Sequence, residues 1–179
     1  MTGYVALLRG VNVGGHNLVP MASLPPIFTS LGFRDVATFI ASGNVVFAAD
    51  RLDRGAVEAI EARLAGELGR SIGVVLRSHA ELAACVAANP YPQGGPKSLH
   101  LVFMADVPTT ASLDRLVRAR QDPDELTVTG RDIYLHCPAG IGRSKLAGAA
   151  SSLPGDRRAT VRNWNTVTKL LDLTTGRDR

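Results

Sequence analysis

The chain has 179 residues, of which 45% are hydrophobic and 20% charged, and its formal net charge is +4. This length can bury a hydrophobic core as one domain or as two small halves, and the composition excludes a low-complexity chain. No stretch approaches the roughly 18 uninterrupted apolar residues of a membrane span, the N-terminus has no signal-peptide pattern, and Cys85 and Cys137 have no metal-like spacing. We therefore expect a cytoplasmic protein with no membrane partner, no metal and no cofactor.

The positive charge is concentrated near the C-terminus. Residues 1–139 carry 12 basic and 13 acidic side chains, a net charge of −1, whereas residues 140–179 carry 8 and 3, a net charge of +5. This asymmetry indicates either an anionic partner for the last forty residues or a solvated basic tail, and both interpretations stay open.

The first half of the chain alternates apolar runs with turn residues in the order βαββαβ. Runs of β-forming residues predict strands at 4–8 and 72–76 and a hairpin over 36–48. Apolar residues at helical spacing predict helices near 24–31 and over 57–68, the second with Asp53 as its N-cap.

A linking helix and a second set of elements follow. Ser78 and Glu81 have capping-box spacing, and Asn89-Pro90 ends the linking helix. The loop-rich segment after it is the best boundary, so we expect one half over 1–90 and another over 91–179. The predicted elements of the second half are a strand at 99–104, a helix with Leu113, Leu116 and Val117, a hairpin over 125–136, and a helix at 144–153. This order is βαββα, and a terminal helix over 159–173 is predicted in place of a fourth strand.

A βαββαβ unit with right-handed crossovers is the ferredoxin-like split βαβ arrangement. We therefore predict an α+β protein of two tandem ferredoxin-like halves, with mostly antiparallel sheets and a C-terminal helical segment. The first crossover makes strands 1 and 2 parallel, so the loop after strand 1 and the turn between strands 2 and 3 share one edge of the sheet. The candidate ligand-binding residues predicted to meet at that edge are Arg9, Asn12, Gly14, Gly15, His16, Ser42 and Asn44.

The glycine loop RGVNVGGHN, residues 9–17, matches neither common phosphate-binding fingerprint. His16 and Asn17 stand where a P-loop needs a lysine and a hydroxyl, and there is no G-x-G-x-x-G. Amides near Gly14 and Gly15 form an anion-binding nest in one interpretation. In the other, which we favour, these glycines only supply positive φ angles.

The segment HCPAGIGRS, residues 136–144, resembles the signature loop of cysteine-dependent protein phosphatases. That resemblance implies Cys137 as the nucleophile and Arg143 as the phosphate clamp. Three features oppose it. Pro138 lacks an amide N–H, the preceding strand comes from a tight hairpin, and no aspartate stands out as a general acid.

The terminal segment places Trp164, Val167 and Leu171 on one side of the predicted helix and polar residues on another. The helix either docks with a buried tryptophan or presents a basic face to phosphates. The candidate phosphate contacts at this end of the chain are Arg143, Ser144, Lys145, Arg162, Asn163, Asn165 and Lys169. Aromatic residues are only 5% of the chain, which disfavours a protein that stacks bases.

Four segments in order, ALLRGVNVGGHN, SGNVVF, YLHCPAGIGRSKL and RNWNTVTKL, are similar to the signatures of a bacterial family of unknown function, number 1697 in its series. The resemblance implies a small cytosolic α+β protein and brings no activity with it. From the residues themselves we predict non-catalytic binding of an anionic partner, nucleic acid ahead of a small phosphorylated ligand. A cysteine-dependent phosphatase and a protein–protein adaptor are the alternatives.

Overall fold

The computed structural model of the chain describes residues 1–153 and 158–177. The chain forms two compact units. The first combines residues 1–83 with the end of the chain from Leu170, and the second comprises residues 84–169. None of the helices in the described ranges is long and apolar enough to cross a membrane.

The first unit is a four-stranded antiparallel sheet with two helices on one face. Its elements are β1 Thr2–Leu8, α1 Leu24–Ser30, β2 Arg34–Phe39, β3 Asn44–Ala49, α2 Ala56–Leu68 and β4 Val74–Ser78. The strand order is β2-β3-β1-β4. Phe28 of α1, Leu64 of α2 and Phe47 of β3 are fully buried in the core between the helices and the sheet.

The second unit repeats this arrangement. Its elements are β5 Leu99–Met104, α4 Thr110–Ala119, β6 Glu125–Thr129, β7 Asp132–His136, α5 Lys145–Ala150 and β8 Ala159–Asn163. The strand order is β6-β7-β5-β8, again with antiparallel neighbours. Leu116 of α4, Leu146 of α5 and Leu135 of β7 belong to its apolar core.

Two further helices complete the chain, α3 His79–Ala87 after β4 and α6 Trp164–Thr175 after β8. α3 begins with the predicted capping box. The Ser78 N–H donates to the Glu81 carboxylate at 2.8 Å, and the Glu81 N–H donates to the Ser78 hydroxyl at 3.2 Å. The predicted α+β fold with two ferredoxin-like halves and a C-terminal helix is confirmed.

Two local predictions were wrong. Residues 159–163 form a strand paired with β5, from Ala159 beside Met104 to Asn163 beside His100, and the helix begins only at Trp164. Gly55 is the N-cap of α2, and Asp53 instead accepts a hydrogen bond from the Gly55 N–H at 2.9 Å.

The loop after β1 and the β2–β3 turn approach each other closely at Gly43. The Leu8 N–H donates to the Gly43 carbonyl at 2.8 Å. Gly43 has φ +78°, and a Cβ built there would overlap the Val11 side chain and lie 2.9 Å from the Leu8 Cβ. Glycine is needed here for its backbone angle and for the space it leaves.

Gly43→Ala is expected to lower the free energy of unfolding by about 2–4 kcal/mol, because it combines a left-handed backbone with overpacking. Gly10→Ala is the matched control: Gly10 has φ +63° but no atom within 4 Å of a built Cβ. The backbone cost alone should be about 1 kcal/mol. Urea titration of both variants checks the difference, and equal losses would contradict the close approach.

His100 is a buried histidine in β5, with 6% of its surface exposed. Within residues 1–153 and 158–177 its Nδ1 has no hydrogen-bond partner. Burial lowers the pKa of the imidazole, and a hydrogen bond with the Ser98 backbone partly raises it. The folded protein therefore favours neutral His100.

The free energy of unfolding should fall as the pH drops below the ordinary histidine pKa of about 6.5, because the unfolded chain then binds a proton that folded His100 resists. The loss is at most about 1.4 kcal/mol per pH unit. His100→Phe should flatten this dependence between about pH 7.5 and 5.5, whereas His16→Asn, which removes an exposed imidazole, should retain it. Identical pH profiles for His100→Phe and the parent protein would refute the assignment.

Candidate functional site

The loop after β1 and the β2–β3 turn lie together, and Asn12 joins them. Its Nδ2 donates to the Ala41 carbonyl at 2.8 Å and to the Val19 carbonyl at 3.0 Å. Its Oδ1 accepts from the Val19 N–H at 2.8 Å. The amide of Asn12 is thus used to fix the loop on itself and on the turn.

The glycines of this loop form a tight turn. The His16 N–H donates to the Val13 carbonyl at 3.0 Å, and Gly14 and Gly15 have φ angles of +57° and +77°. Two successive positive φ angles are typical of a type I′ turn, which explains both glycines.

The other predicted side chains at this edge differ in their burial and hydrogen bonds. Buried Asn44 donates to the Phe39 carbonyl and the Ser42 hydroxyl, both at 3.0 Å. Arg9 is half-buried and His16 is exposed. The tip of the loop is apolar, with Val13 63% exposed. The side-chain amides of Asn12 and Asn44 are therefore both used within the fold.

One end of the second sheet gathers more charge. The Cys137 N–H donates to the Ser98 carbonyl at 2.8 Å, directly beyond the Leu99–His136 pair of β5 and β7. The segment after β7 therefore starts beside Lys97. The same segment carries Arg143 and Lys145, and all three cations are exposed.

The C-terminal end of α4 lies at the same end of the second sheet. The Ser144 hydroxyl donates to the Asp124 carboxylate at 2.6 Å, and Asp124 follows α4 by only a few residues. Arg118 and Arg120, in and after the last turn of α4, are both exposed. We name five exposed cations at this end of the second sheet the cationic rim: Lys97, Arg118, Arg120, Arg143 and Lys145.

The carboxylates at this end neutralise the rim only in part. Asp124 is buried and bound to Ser144. Glu125 lies 3.1 Å from the His136 ring nitrogen Nδ1. Asp122 is the exposed carboxylate that precedes them. Opposed by Asp122 and Glu125, the five cations leave this surface positive.

Cys137 does not have the environment of a nucleophile. Its side chain is fully buried, and its thiol lies 3.4 Å from the Ser144 hydroxyl. Burial raises the pKa of the Cys137 thiol, the hydrogen bond with Ser144 lowers it in part, and the charge of Asp124 raises it further. Reactive cysteines instead have an exposed thiol of depressed pKa. This geometry gives the phosphatase alternative no support.

The remaining predicted contacts are dispersed. Arg162 was predicted on a helix face, but it lies buried in β8, where its guanidinium donates to the Thr160 hydroxyl at 2.6 Å and the Val161 carbonyl at 2.9 Å. Burial lowers the pKa of Arg162 to about 10. Asn163 caps α6 by accepting from the Thr166 N–H at 2.8 Å.

Asn165 and Lys169 are exposed on α6, as predicted for polar positions. Asn163 lies beside His100, at the end of the sheet that carries the rim, so α6 begins there. Arg177 belongs to the first unit, where its Nε donates to the Asp35 carbonyl at 2.7 Å. Arg162 is thus buried inside the second unit, and Arg177 is bound to the backbone of the first.

Sequence reasoning missed Tyr91 and His136. Their rings stack with centroids 5.3 Å apart, beside the cationic rim. Asp132, Tyr134 and His136 alternate along β7, so they share the sheet face opposite the apolar core. That polar alternation was a signal for this site. Among the described residues no group of three or more His, Cys, Asp or Glu side chains could hold a metal ion.

Ser144→Ala is expected to cost more stability than an ordinary cap deletion. Ser144 accepts from the Ala147 N–H at 2.9 Å as the N-cap of α5, and it also satisfies buried Asp124. Loss of the cap should lower the free energy of unfolding by about 1 kcal/mol. Leaving the buried Asp124 carboxylate without the Ser144 hydroxyl should lower it further, by about 1–3 kcal/mol. Thr109→Ala, which removes the N-cap of α4 and a hydrogen bond to the neutral Ser112 hydroxyl but no bond to a carboxylate, is the control. Urea titration giving equal losses would contradict the role of Asp124.

Comparison with known proteins places this fold in a family. No curated protein matches the chain. The solved structure of the conserved bacterial protein SP0830 from Streptococcus pneumoniae is similar with a TM-score of 0.80 and 24% sequence identity, over 97% of this chain and 98% of that one. This likeness shows the shared fold alone. A family model described as "Protein of unknown function (DUF1697)" matches residues 1–134, and the chain therefore belongs to the DUF1697 family of proteins of unknown function.

Proposed function

We infer that the protein binds an anionic partner without catalysis, and that this partner is nucleic acid rather than a small phosphorylated ligand. The observation that carries the proposal is the cationic rim: Lys97, Arg118, Arg120, Arg143 and Lys145. Three chain segments bring these side chains to one end of the second sheet. Clustered basic side chains bind phosphates by charge and by releasing condensed counterions.

The openness of the rim favours a polyanion. All five cations are exposed, whereas sites for small ligands are concave and enclose most of their ligand. A chain of phosphates contacts several separated cations at once, and each contact adds to the affinity.

The aromatic residues nearby favour contacts to the backbone of a nucleic acid. Tyr91 is buried, and its hydroxyl lies 2.8 Å from the Thr127 hydroxyl. Trp164 is half-buried and packs near Tyr134, with ring centroids 6.4 Å apart. Neither ring is an exposed platform for a base, so we expect binding with little sequence preference.

Affinity for a labelled 20-nucleotide oligonucleotide should weaken steeply as salt rises. Each phosphate contact contributes a slope of about 0.7–0.9 in a plot of log affinity against log salt. Arg143→Gln with Lys145→Gln should therefore lower the slope by about 1–2. Fluorescence anisotropy at several salt concentrations measures these slopes for single-stranded and duplex probes.

The matched control is Arg51→Gln with Arg54→Gln, which removes two exposed cations from the loop before α2 in the first unit. This variant should keep the parental slope. The proposal is wrong if the parent shows no affinity at low salt, or if both double variants behave alike.

A further inference from the structure

We propose that His136 is a proton-dependent contact for a phosphate group beside the cationic rim. When the imidazole is protonated, its Nε2–H donates to a phosphoryl oxygen while Nδ1–H stays bound to Glu125. The inference rests on the proposed function, because the rim supplies the charge that brings a phosphate-bearing ligand to this place. It adds the ligand chemistry: a phosphate group whose binding takes up a proton.

Glu125 orients one edge of the ring. The distance from its carboxylate oxygen to His136 Nδ1 is 3.1 Å. β6 and β7 pair Glu125 directly opposite His136, so the strand register fixes this contact. A carboxylate on one ring nitrogen favours the tautomer with the proton there, which leaves Nε2 for a ligand.

Tyr91 holds the plane of the ring. The two rings stack with an interplanar angle of 26°, and Tyr91 is itself fixed by its hydroxyl, 2.8 Å from the Thr127 hydroxyl. The His136 side chain is only 13% exposed. Glu125 therefore fixes one edge of the imidazole and Tyr91 fixes one face. A ligand that binds this ring would lose little affinity to ordering the side chain.

The second nitrogen of His136 is open. Within residues 1–153 and 158–177 Nε2 has no hydrogen-bond partner, and it is not one of the buried polar atoms left without one. Nε2 is therefore accessible to solvent.

Gly94 lies against the His136 ring. A Cβ built at Gly94 would lie 3.1 Å from the Tyr91 carbonyl oxygen, 3.2 Å from the ring carbon Cδ2 of His136 and 3.3 Å from Nε2. Gly94 needs no unusual backbone angle, since its φ is not positive. A larger residue here would therefore crowd both the Tyr91 carbonyl and Nε2.

The contact itself gives the sign of the pH dependence. Glu125 on β6 faces Nδ1, and Tyr91 in the loop before β5 and Leu99 on β5 face the ring as neutral groups. Lys97 and Arg143 lie on the adjoining segments. With Nδ1–H bound to Glu125, Nε2 carries a proton to donate only in the imidazolium. Phosphate binding at Nε2 therefore takes up a proton and strengthens as the pH falls through the histidine range.

Two twelve-nucleotide single strands of the same sequence test the proposal, one with a 5′-phosphate and one with a 5′-hydroxyl. Between pH 8 and 6.5 at low constant salt, affinity of the full-length protein for the 5′-phosphorylated strand should rise about fivefold. The hydroxyl strand tells which phosphate is bound, because its internal phosphodiesters also accept hydrogen bonds. A comparable gain assigns the contact to a backbone phosphate, and a change of less than about twofold assigns it to the 5′-phosphate. Inorganic phosphate is titrated in parallel by calorimetry. If it alone binds with the same pH dependence, the ligand is a small phosphate; if only the 5′-phosphorylated strand does, the ligand is a nucleic acid end.

Two variants keep the proposal falsifiable if one of them folds poorly. His136→Gln retains a polar side chain without a titratable ring, and Gly94→Ala places a methyl group between the Tyr91 carbonyl and Nε2. Both should remove the pH-dependent gain while keeping the salt dependence of the hydroxyl strand. His79→Gln, which removes an imidazole of the first unit, should leave the gain intact. A pH-dependent gain that persists in His136→Gln, or its absence in the parent, overturns the role of His136 while the rim stands. Absence of binding to both strands at every pH overturns the rim and the His136 contact together.

Discussion

The register between β5 and β7 is the constraint on which the second unit's surface depends. It is set by the pair Leu99–His136 and continued by the bond from the Cys137 N–H to the Ser98 carbonyl. Adjacent residues of a strand face opposite sides of the sheet, so a slip by one position would move His136 into the apolar core and Cys137 out of it. The same register puts Lys97 beside the segment that carries Arg143.

Most of the fold was accessible to sequence reasoning because its signals are local. Helical spacing, β-branched runs and the Ser78–Glu81 capping box each depend on a few neighbouring residues, and the βαββαβ order then limits the topology. β8 was missed for the same reason: residues 159–163 are short and run directly into α6, so the apolar spacing of the helix was extended backwards through them. The Asn163 N-cap, confirmed by its bond to Thr166, was the local sign of the boundary.

The distribution of surface charge was harder to predict, because the burial of a basic side chain depends on contacts between residues that are distant in the sequence. The last forty residues have an excess of five positive charges, yet Arg162 lies inside the second unit and Arg177 binds the backbone of the first. The rim instead recruits Lys97, Arg118 and Arg120 from a region whose overall charge is slightly negative. The pairing of β5 with β7 and the hydrogen bond from Ser144 to Asp124 bring these cations to the end of the sheet that carries Arg143.

The two glycine-containing segments differ in how their polar side chains are bonded. In the loop after β1, glycines permit a type I′ turn, and the Asn12 amide bonds to Val19 and Ala41, so the polar groups of Asn12 stabilise the fold.

At His136 one polar atom is left for a ligand. Gly94 has an ordinary φ, Glu125 and Tyr91 fix the ring, and Nε2 is left without a protein partner among the described residues. A polar group that is fixed in place and open to solvent can contact a ligand without first being ordered. Cys137, which stands in the more familiar motif, is buried, and burial raises the pKa of its thiol. The contact we propose is therefore the histidine that precedes the cysteine and not the cysteine itself.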